Sequence, residues 1–399
     1  MHDPVATAVA EFAAMLSAAL LVSILGDLIR VPPAVALVAF GVVVRSVWHD
    51  AQLPFAFGPG VLFVFLPPLI FEAAWHVDLR LLRRTLASVA WLAVPGTLIT
   101  AFAVAFVLPA LGAIPFAAAF IFGSAIAATD PVAVVAVFRT SGVPDRLRTI
   151  VEAESLANDG IAVVLFGSAL TLAAGGSIQP LGALAHGVLA VAGGCAVGIV
   201  CAIVVAALLR ATAAPVYEVT ATVALAYGAY LLADHFALSG IFASASGAIV
   251  LRYLQRRQKL IANVDDADRF WSAGAYIANA VVFVGTGLTI DASRILHEPY
   301  LIGIAVAIVL VTRALVVLAV PGDARDRLTI FLAGMRAALP LALALSVPAG
   351  IPYRAAIVDA VFATVIVTFV FFGAPLQTIV RGFYGAGDQS RIGGPESSS

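Results

Sequence analysis

Charged side chains are scarce in this sequence. Asp, Glu, Lys and Arg make up 11% of the 399 residues, whereas about 25% of an ordinary soluble domain is charged. A soluble domain of this length needs far more charge to cover its surface. The composition therefore excludes a soluble globular protein, a disordered chain and a nucleic-acid-binding protein. The hydrophobic fraction of 62% and the mean hydropathy of +1.07 indicate an α-helical protein embedded in a lipid bilayer.

Sequence motifs of hydrolases and ATPases are also missing. The chain contains no HExxH, GxSxG or Walker A motif, so we expect no enzyme activity and no cofactor. The two cysteines, Cys195 and Cys201, lie six residues apart in an apolar run, and this helical spacing is too long for a disulfide. A basic N-terminal segment is lacking, and the first apolar run is long enough to span a membrane. No cleavable signal peptide is therefore expected.

Apolar segments of about 20 residues, the length that crosses a bilayer as a helix, follow one another along most of the chain. They predict an all-α polytopic membrane protein with thirteen transmembrane helices, at about residues 6–28, 31–47, 58–77, 86–108, 115–138, 149–172, 183–209, 217–234, 236–253, 270–290, 299–320, 328–348 and 354–380. Residues 1–381 then form one transmembrane unit. Residues 382–399 form a short tail, rich in Gly and Ser, that we expect to be disordered.

Basic residues are unevenly distributed between the predicted loops. Of the 22 basic residues, 17 fall in one alternating set of loops or in the C-terminal tail, and 3 fall in the opposite set. Loops rich in Lys and Arg remain in the cytoplasm. The distribution therefore predicts an external N-terminus and a cytoplasmic C-terminus.

Two predicted spans contain proline where a helix should continue. The fifth span contains Pro131 and the twelfth contains Pro340. Proline removes a backbone donor and disfavours helix at the preceding residue. If residues 1–182 and 211–381 are two repeats joined by a linking helix at 183–210, each break falls in the fifth helix of its repeat. Paired breaks in inverted repeats point to the binding site of a transporter, although each proline could also be a simple kink.

The sixth predicted span carries the densest set of polar groups. Ser155 and Asp159 are separated by four residues, as are Glu154 and Asn158, so each pair shares one side of a helix. Ionisable residues at membrane depth are costly and are functional candidates by default. Oxygen ligands of this kind suit a hard cation such as Na⁺, and one carboxylate can hold either a cation or a proton.

Other charged residues fall inside predicted spans. Glu72 is a further candidate oxygen ligand, or else a carboxylate near the cytoplasmic interface. Arg336, at the second break, needs a partner at membrane depth, and we expect Glu154 to be that partner. For Arg313 we expect a carboxylate in a loop or at a helix end, such as Glu152.

Four stretches resemble sodium/proton antiporters of the NhaP type, relatives of the animal sodium/proton exchangers. They are residues 66–72 (LPPLIFE), 123–135 (GSAIAATDPVAVV), 154–160 (ESLANDG) and 283–288 (FVGTGL). They are similar, respectively, to the family's LPPxxFE/D motif, discontinuous helix, ESLxNDG stretch and GxGL element. One departure is clear: the family usually has Gly-Leu-Arg-Gly where residues 334–337 read GMRA.

This resemblance implies a fold and an assembly. The fold is the NhaA-like antiporter fold, with two inverted six-helix repeats and crossing discontinuous helices. The resemblance further implies a homodimer, an elevator-like movement, a role in pH homeostasis, and a place in the inner membrane of a prokaryote.

The resemblance also implies residue roles. Asp159 would carry Na⁺ and the proton alternately, and Asp130 would shape the site. Ser155, Thr129 and Glu72 would complete the Na⁺ site with Asp159. Glu154 and Arg336 would form a structural ion pair that Asn158 helps to hold.

The function expected is electroneutral exchange of one Na⁺ (or Li⁺) for one H⁺. K⁺/H⁺ exchange on the same scaffold is an open alternative, because every motif would be shared. A cation channel is a weaker alternative, since no repeated filter motif is present. An intramembrane enzyme is weaker still.

Overall fold

The computed structural model describes most of the chain. The described residues are 4–28, 31, 33–47, 59–130, 134–135, 137–138, 141–177, 179–211, 215–258, 264–289, 299–336 and 338–385. All regular structure within these ranges is helical, as the sequence predicts.

The described residues form fifteen α-helices, α1 to α15 in chain order. They are α1 (Pro4–Leu28), α2 (Pro33–Val47), α3 (Pro59–His76), α4 (Leu79–Ala110), α5 (Phe116–Ala127), α6 (Asp145–Ala173), α7 (Pro180–Leu209), α8 (Pro215–His235), α9 (Gly240–Gln258), α10 (Val264–Thr289), α11 (Pro299–Leu318), α12 (Ala324–Leu332), α13 (Ala338–Ser346), α14 (Arg354–Thr368) and α15 (Ala374–Tyr384). A π-helical turn, Phe369–Gly373, joins α14 to α15.

Local sequence explains where many of these helices begin. Several open on proline, whose fixed φ suits the first helical position and whose missing N–H has no intrahelical partner there. Helix α4 instead begins after Asp78, whose carboxylate accepts hydrogen bonds from the backbone N–H groups of Arg80 (2.7 Å) and Leu81 (3.4 Å). Asp323 caps α12 in the same way through the N–H of Asp326.

Membrane-spanning capacity can be judged from length and apolar composition. In the described part of the chain, five helical segments meet both criteria: Leu79–Ala110, Asp145–Ala173, Ala185–Leu209, Pro299–Leu318 and Arg354–Tyr384. Three shorter apolar segments accompany them: Phe12–Gly26, Val35–Val47 and Phe116–Ala127.

Both predicted breaks are seen, but the second lies earlier than expected. Helix α5 ends at Ala127 and is followed by extended backbone, whereas Pro131 lies outside the described residues. The predicted twelfth span is divided into α12 and α13 by non-helical backbone at 334–336. Pro340 is therefore not the breaking residue. It occupies the first turn of α13, where proline costs no hydrogen bond.

The helices pack in two groups. In the first, which we call the charged bundle (α4–α6 and α11–α15), α4 packs against α5, α6 and α11, and α14 packs against α5, α11 and α13. In the second, which we call the apolar bundle (α1–α3 and α7–α10), α9 packs against α3, α7 and α8, and α10 packs against α2 and α3. Helices α3, α7 and α9 also contact α6, which lies where the two bundles meet.

Glycine allows the closest helix contacts in both bundles. Gly41 of α2 and Gly287 of α10 face each other, and a Cβ on either would collide with the backbone of the other helix. In the charged bundle, a Cβ on Gly123 of α5 would collide with the carbonyl of Ala101 in α4. Small residues of this kind are what let membrane helices approach closely, and Gly123 thereby holds α5 against α4.

Candidate functional site

The two breaks meet in space. The backbone N–H of Asp130, just after α5, donates to the carbonyl of Met335, between α12 and α13, at 2.9 Å. Both residues are buried. A break in an apolar interior leaves backbone groups without helical partners, and leaving them unpaired is expensive. Each break therefore supplies a hydrogen-bond partner for one backbone group of the other break.

Arg336 supplies hydrogen-bond donors to the carbonyl groups at the end of α5. Its Nη1 donates to the carbonyls of Ala127 at 2.7 Å and Ala128 at 3.0 Å. These carbonyls belong to the C-terminal end of a half-helix, where acceptors lack intrahelical donors and the helix dipole is negative. Its backbone N–H lies 3.4 Å from Thr368 Oγ1 on α14. Arg336 is only 2% exposed, so its buried positive charge is stabilised by backbone carbonyl oxygens.

Helix α6 holds the first break in its extended shape. The Ser155 hydroxyl donates to the carbonyl of Thr129 at 2.5 Å. The Asn158 amide donates to Thr129 Oγ1 at 2.6 Å and accepts from the Thr129 N–H at 3.3 Å. The structure thus brings Ser155 and Asn158 into direct contact with Thr129. Asn158 was expected to hold the Glu154–Arg336 pair, and its amide instead bonds to Thr129.

Asp159 lies on α6, one turn after Ser155. Its Oδ1 is buried and has no hydrogen-bond partner among the described residues. Asp130 and Arg336 are the charged groups near enough to act on it electrostatically. A buried carboxylate oxygen without a partner is unfavourable, and binding a cation or a proton would remove that penalty.

The expected Glu154–Arg336 ion pair is wrong. Both guanidinium Nη atoms of Arg313, on α11, donate to the two carboxylate oxygens of Glu154, one of them at 3.1 Å. Arg313 Nη2 also donates to the carbonyl of Ile330 on α12 at 2.8 Å. Glu154 and Arg313 are 2% and 5% exposed. Arg336 is not bonded to Glu154 because its Nη1 serves the carbonyls of the first break.

The expected partner of Arg313 is therefore also wrong. Glu152 lies one turn after Arg148 on α6, with 3.9 Å between Arg148 Nε and Glu152 Oε1. The depth of Arg313 within a predicted span was the signal that could have found its true partner. A buried arginine needs a buried carboxylate, and Glu154 lies deep in its own span.

Glu72 lies in the other bundle, on α3, and is half-buried. Its carboxylate is 3.5 Å from His76 Nδ1, and the same nitrogen is 2.9 Å from the Glu72 carbonyl. Its place among the Na⁺ ligands stays a prediction.

The site thus combines two helix breaks bonded to each other, a buried arginine and a buried carboxylate oxygen on α6. The model of the transmembrane sodium/hydrogen exchanger family matches residues 10–382. The chain belongs to this family. The family predicted from the motifs is thus confirmed.

Characterised members and a solved structure agree with this placement. The chain is 32% identical to the low-affinity Na⁺/H⁺ antiporter NhaS1 of Synechocystis sp., over 95% of this chain and 75% of that protein. It is 30% identical to the Na⁺/H⁺ antiporter NhaH of Halobacillus aidingensis, over 92% of this chain and 96% of that protein.

The fold is similar to that of the sodium proton antiporter MjNhaP1 from Methanocaldococcus jannaschii. The TM-score is 0.80, with 19% identity, over 96% of this chain and 100% of the other. This likeness establishes the fold.

Proposed function

We propose that this exchanger-family protein is a secondary antiporter that exchanges Na⁺ or Li⁺ for H⁺ at Asp159. The observation that carries the proposal is the buried Asp159 oxygen, unpartnered among the described residues, on the helix that holds the first break. The names of the relatives support Na⁺ as the substrate. A proton and Na⁺ both neutralise a carboxylate, so the two would compete for one site and exchange without ATP.

The neighbours of Asp159 fit a hard cation. The Thr129 carbonyl and the Ser155 hydroxyl lie against each other, 2.5 Å apart, and oxygen atoms are the ligands that hard cations prefer. We assign Ser155, Thr129 through its main chain, and Glu72 as ligands beside Asp159, with Asp130 shaping the site. Glu154, Arg313 and Arg336 hold the backbone around it.

We further propose that the exchange is one for one and electroneutral. Asn158 already uses its amide both to donate to Thr129 and to accept from it. A carboxylate at that position could not donate when ionised, so residue 158 is suited to an amide and not to a second proton carrier. With one titrating carboxylate in the pair, one positive charge replaces another.

The finer architecture belongs to the same proposal: thirteen spans, inverted repeats, an external N-terminus, an elevator-like movement and a homodimer in the inner membrane of a prokaryote. Three observations support the repeats and the movement. The half-helices before the two breaks, α5 and α12, occupy equivalent places in the two predicted repeats, and the backbones at the breaks are hydrogen-bonded to each other. The division into two bundles is what a movement of one bundle against the other requires.

Proteoliposomes containing the purified full chain test the function. A pH-sensitive dye inside the vesicles reports proton movement when Na⁺, Li⁺ or K⁺ is added outside. We expect saturable proton movement with Na⁺ and Li⁺ and little with K⁺. A response to K⁺ alone would establish the rival K⁺/H⁺ exchange, and no response to any of the three cations would refute antiport.

A further inference from the structure

A cavity of about 370 Å³ lies where the start of α4 faces the end of α9. Its volume is within the range of small-ligand pockets, about 300–1,000 Å³. None of the proposed ion ligands lines it. The charged residues that line it are five arginines and one aspartate: Arg80, Arg83, Arg252, Arg256, Arg257 and Asp78. We call it the basic cavity.

Arg252 has hydrogen-bond donors that no acceptor among the described residues uses. Its Nη2 bonds to Asp268 on α10 at 3.3 Å, and its guanidinium lies over the ring of Trp75, 4.9 Å from the centroid. These contacts fix the side chain in place. Its Nε and Nη1 are nevertheless buried and have no hydrogen-bond partner among the described residues. Two nitrogen atoms of a positioned guanidinium, which carry three N–H groups, are therefore available to an acceptor.

Of the other arginines, Arg80, Arg83 and Arg257 add positive charge that no carboxylate of the described residues pairs with. Arg256 is paired with Asp78 at 3.3 Å, and Arg257 lies over the ring of Tyr253. The exposed side chains of Arg80 and Arg83 make no ion pair or hydrogen bond within the described part of the chain. Asp78 already accepts from the N-terminus of α4. A site of this charge repels Na⁺ and attracts anions.

We propose that the basic cavity binds the phosphate group of an anion, either the headgroup of an anionic phospholipid or a soluble phosphate compound. Guanidinium groups match phosphate oxygens with paired hydrogen bonds, and basic pockets between membrane helices are suited to anionic headgroups. The rest of the lining is Val77, Leu79, Ile249 and Tyr253. Leu86, one turn beyond Arg83 on α4, is exposed, so a lipid chain would find an apolar surface beside the headgroup.

The bound phosphate would join the two bundles. Arg80 and Arg83 belong to α4 of the charged bundle, and Arg252 and Arg257 belong to α9 of the apolar bundle. Without an anion, these like charges repel each other across the cavity. With an anion, both walls share one ligand. We therefore expect the ligand to raise the thermal stability of the folded protein, whatever cation the protein transports.

The full chain in phosphatidylcholine nanodiscs, with or without phosphatidylglycerol, tests the lipid source. The double variant Arg80→Gln/Arg83→Gln removes two uncommitted guanidiniums, and Arg84→Gln is a matched control because Arg84 is exposed on the same helix outside the cavity. Native mass spectrometry measures the phosphatidylglycerol retained, and thermal unfolding measures the stabilisation. Each arginine lost should weaken retention about fivefold, while Arg84→Gln retains the lipid like the wild type.

A second arm tests the soluble source. Inorganic phosphate is added to the protein in phosphatidylcholine nanodiscs, against chloride at equal ionic strength. Stabilisation by phosphate that the double variant loses would assign the site to a soluble anion. Arg257→Gln, on the opposite wall, gives an independent variant if the double variant does not fold. Equal binding by wild type, cavity variants and Arg84→Gln in both arms, or equal loss in the variants and the control, would overturn the proposal.

Discussion

The two bundles bury different kinds of side chain. Among the described residues, the apolar bundle buries one charged residue, Glu218 in the first turn of α8, while its close contacts use glycine and alanine. The charged bundle buries five: Asp130, Glu152, Glu154, Arg313 and Arg336. Both bundles pack long apolar helices, so helix packing alone does not require buried charge.

Several buried charges of the charged bundle hold the helices and backbone around the two breaks in place. Arg336 supplies donors to the end of α5, and the Glu154–Arg313 pair joins α6 to α11 and, through the Ile330 carbonyl, to α12. Buried charges survive in an apolar environment only when they are paired or bonded. Among the described residues, the Asp159 carboxylate keeps one buried oxygen without a hydrogen-bond partner. If Asp159 is the carrier that we propose, structural charges surround it.

The strongest test of this distinction is Asp159→Asn. The variant keeps the shape of the side chain but cannot exchange a proton for a cation, so we expect a folded protein whose Na⁺-driven proton movement falls to the level of empty liposomes. Asp266→Asn, at an exposed position in the first turn of α10, is the control and should retain transport. Substantial Na⁺-driven proton flux in Asp159→Asn would remove Asp159 from the role of carrier.

The next largest effect should come from the buried ion pair. Glu154→Gln leaves the Arg313 charge buried without its carboxylate, which typically costs about 3–5 kcal/mol. We expect it to lower the unfolding midpoint in detergent more than Asp159→Asn does. Similar midpoints for the two variants would count against a structural role for Glu154.

A double-mutant cycle separates the two arginines. Because Glu154 bonds directly to Arg313, removing both partners should show a coupling energy in the range of about 0.5–3 kcal/mol. The corresponding cycle of Glu154 with Arg336 should show a smaller one. If the coupling to Arg336 were the larger, the pairing in the structure would be contradicted.

The sequence predicted the helical class, the family and the position of the first break. Apolar segment length and the order of local motifs carry that information. The partner of Glu154 was mispredicted because a one-dimensional pattern shows that Arg336 needs compensation but not what supplies it. Main-chain carbonyls of Ala127 and Ala128 supply it, and carbonyls exist at every position, so no residue type marks them. The position of the second break was mispredicted because Pro340 was taken as the breaking residue, whereas proline is tolerated in a first helical turn.

A smaller effect, on the stability of the fold, is expected from replacing Asp78, which lies at the start of α4 where the two bundles meet. Burial acts to raise the pKa of Asp78, but hydrogen bonds from Arg80 and Leu81 and the charge of Arg256 outweigh it, so its pKa lies below the ordinary 3.8. Replacing this helix cap by alanine should cost about 1 kcal/mol. Because the carboxylate stabilises the fold only when ionised, the cost should be full above the ordinary pKa and should disappear as the pH falls through the lowered one.

Thermal unfolding of Asp78→Ala between neutral and acidic pH measures this effect. Asp234→Ala, an exposed aspartate near the end of α8 that caps no helix, is the control and should change stability little. A cost of Asp78→Ala that persisted unchanged in acid would show that the side chain acts by packing and not by its charge.

The smallest expected effect is that of membrane potential on transport, and it tests whether proton-carrying charge is confined to the charged bundle. Asn158 beside Asp159 leaves one titrating carboxylate in the pair, so each cycle should move no net charge. One net charge would couple at about 2.3 kcal/mol per 100 mV. We expect the Na⁺/H⁺ exchange rate in proteoliposomes to stay constant under a K⁺/valinomycin potential at fixed pH and Na⁺ gradients. A several-fold change would overturn the one-for-one stoichiometry but not the antiport.

The variant Glu72→Gln locates a second carrier if such a change is seen. If Glu72→Gln abolished the change, the second carrier would lie on α3 of the apolar bundle, and proton-carrying charge would not be confined to the charged bundle. If the change persisted in Glu72→Gln, Glu72 would not be the second carrier, and Asp130 in the charged bundle would be the next candidate.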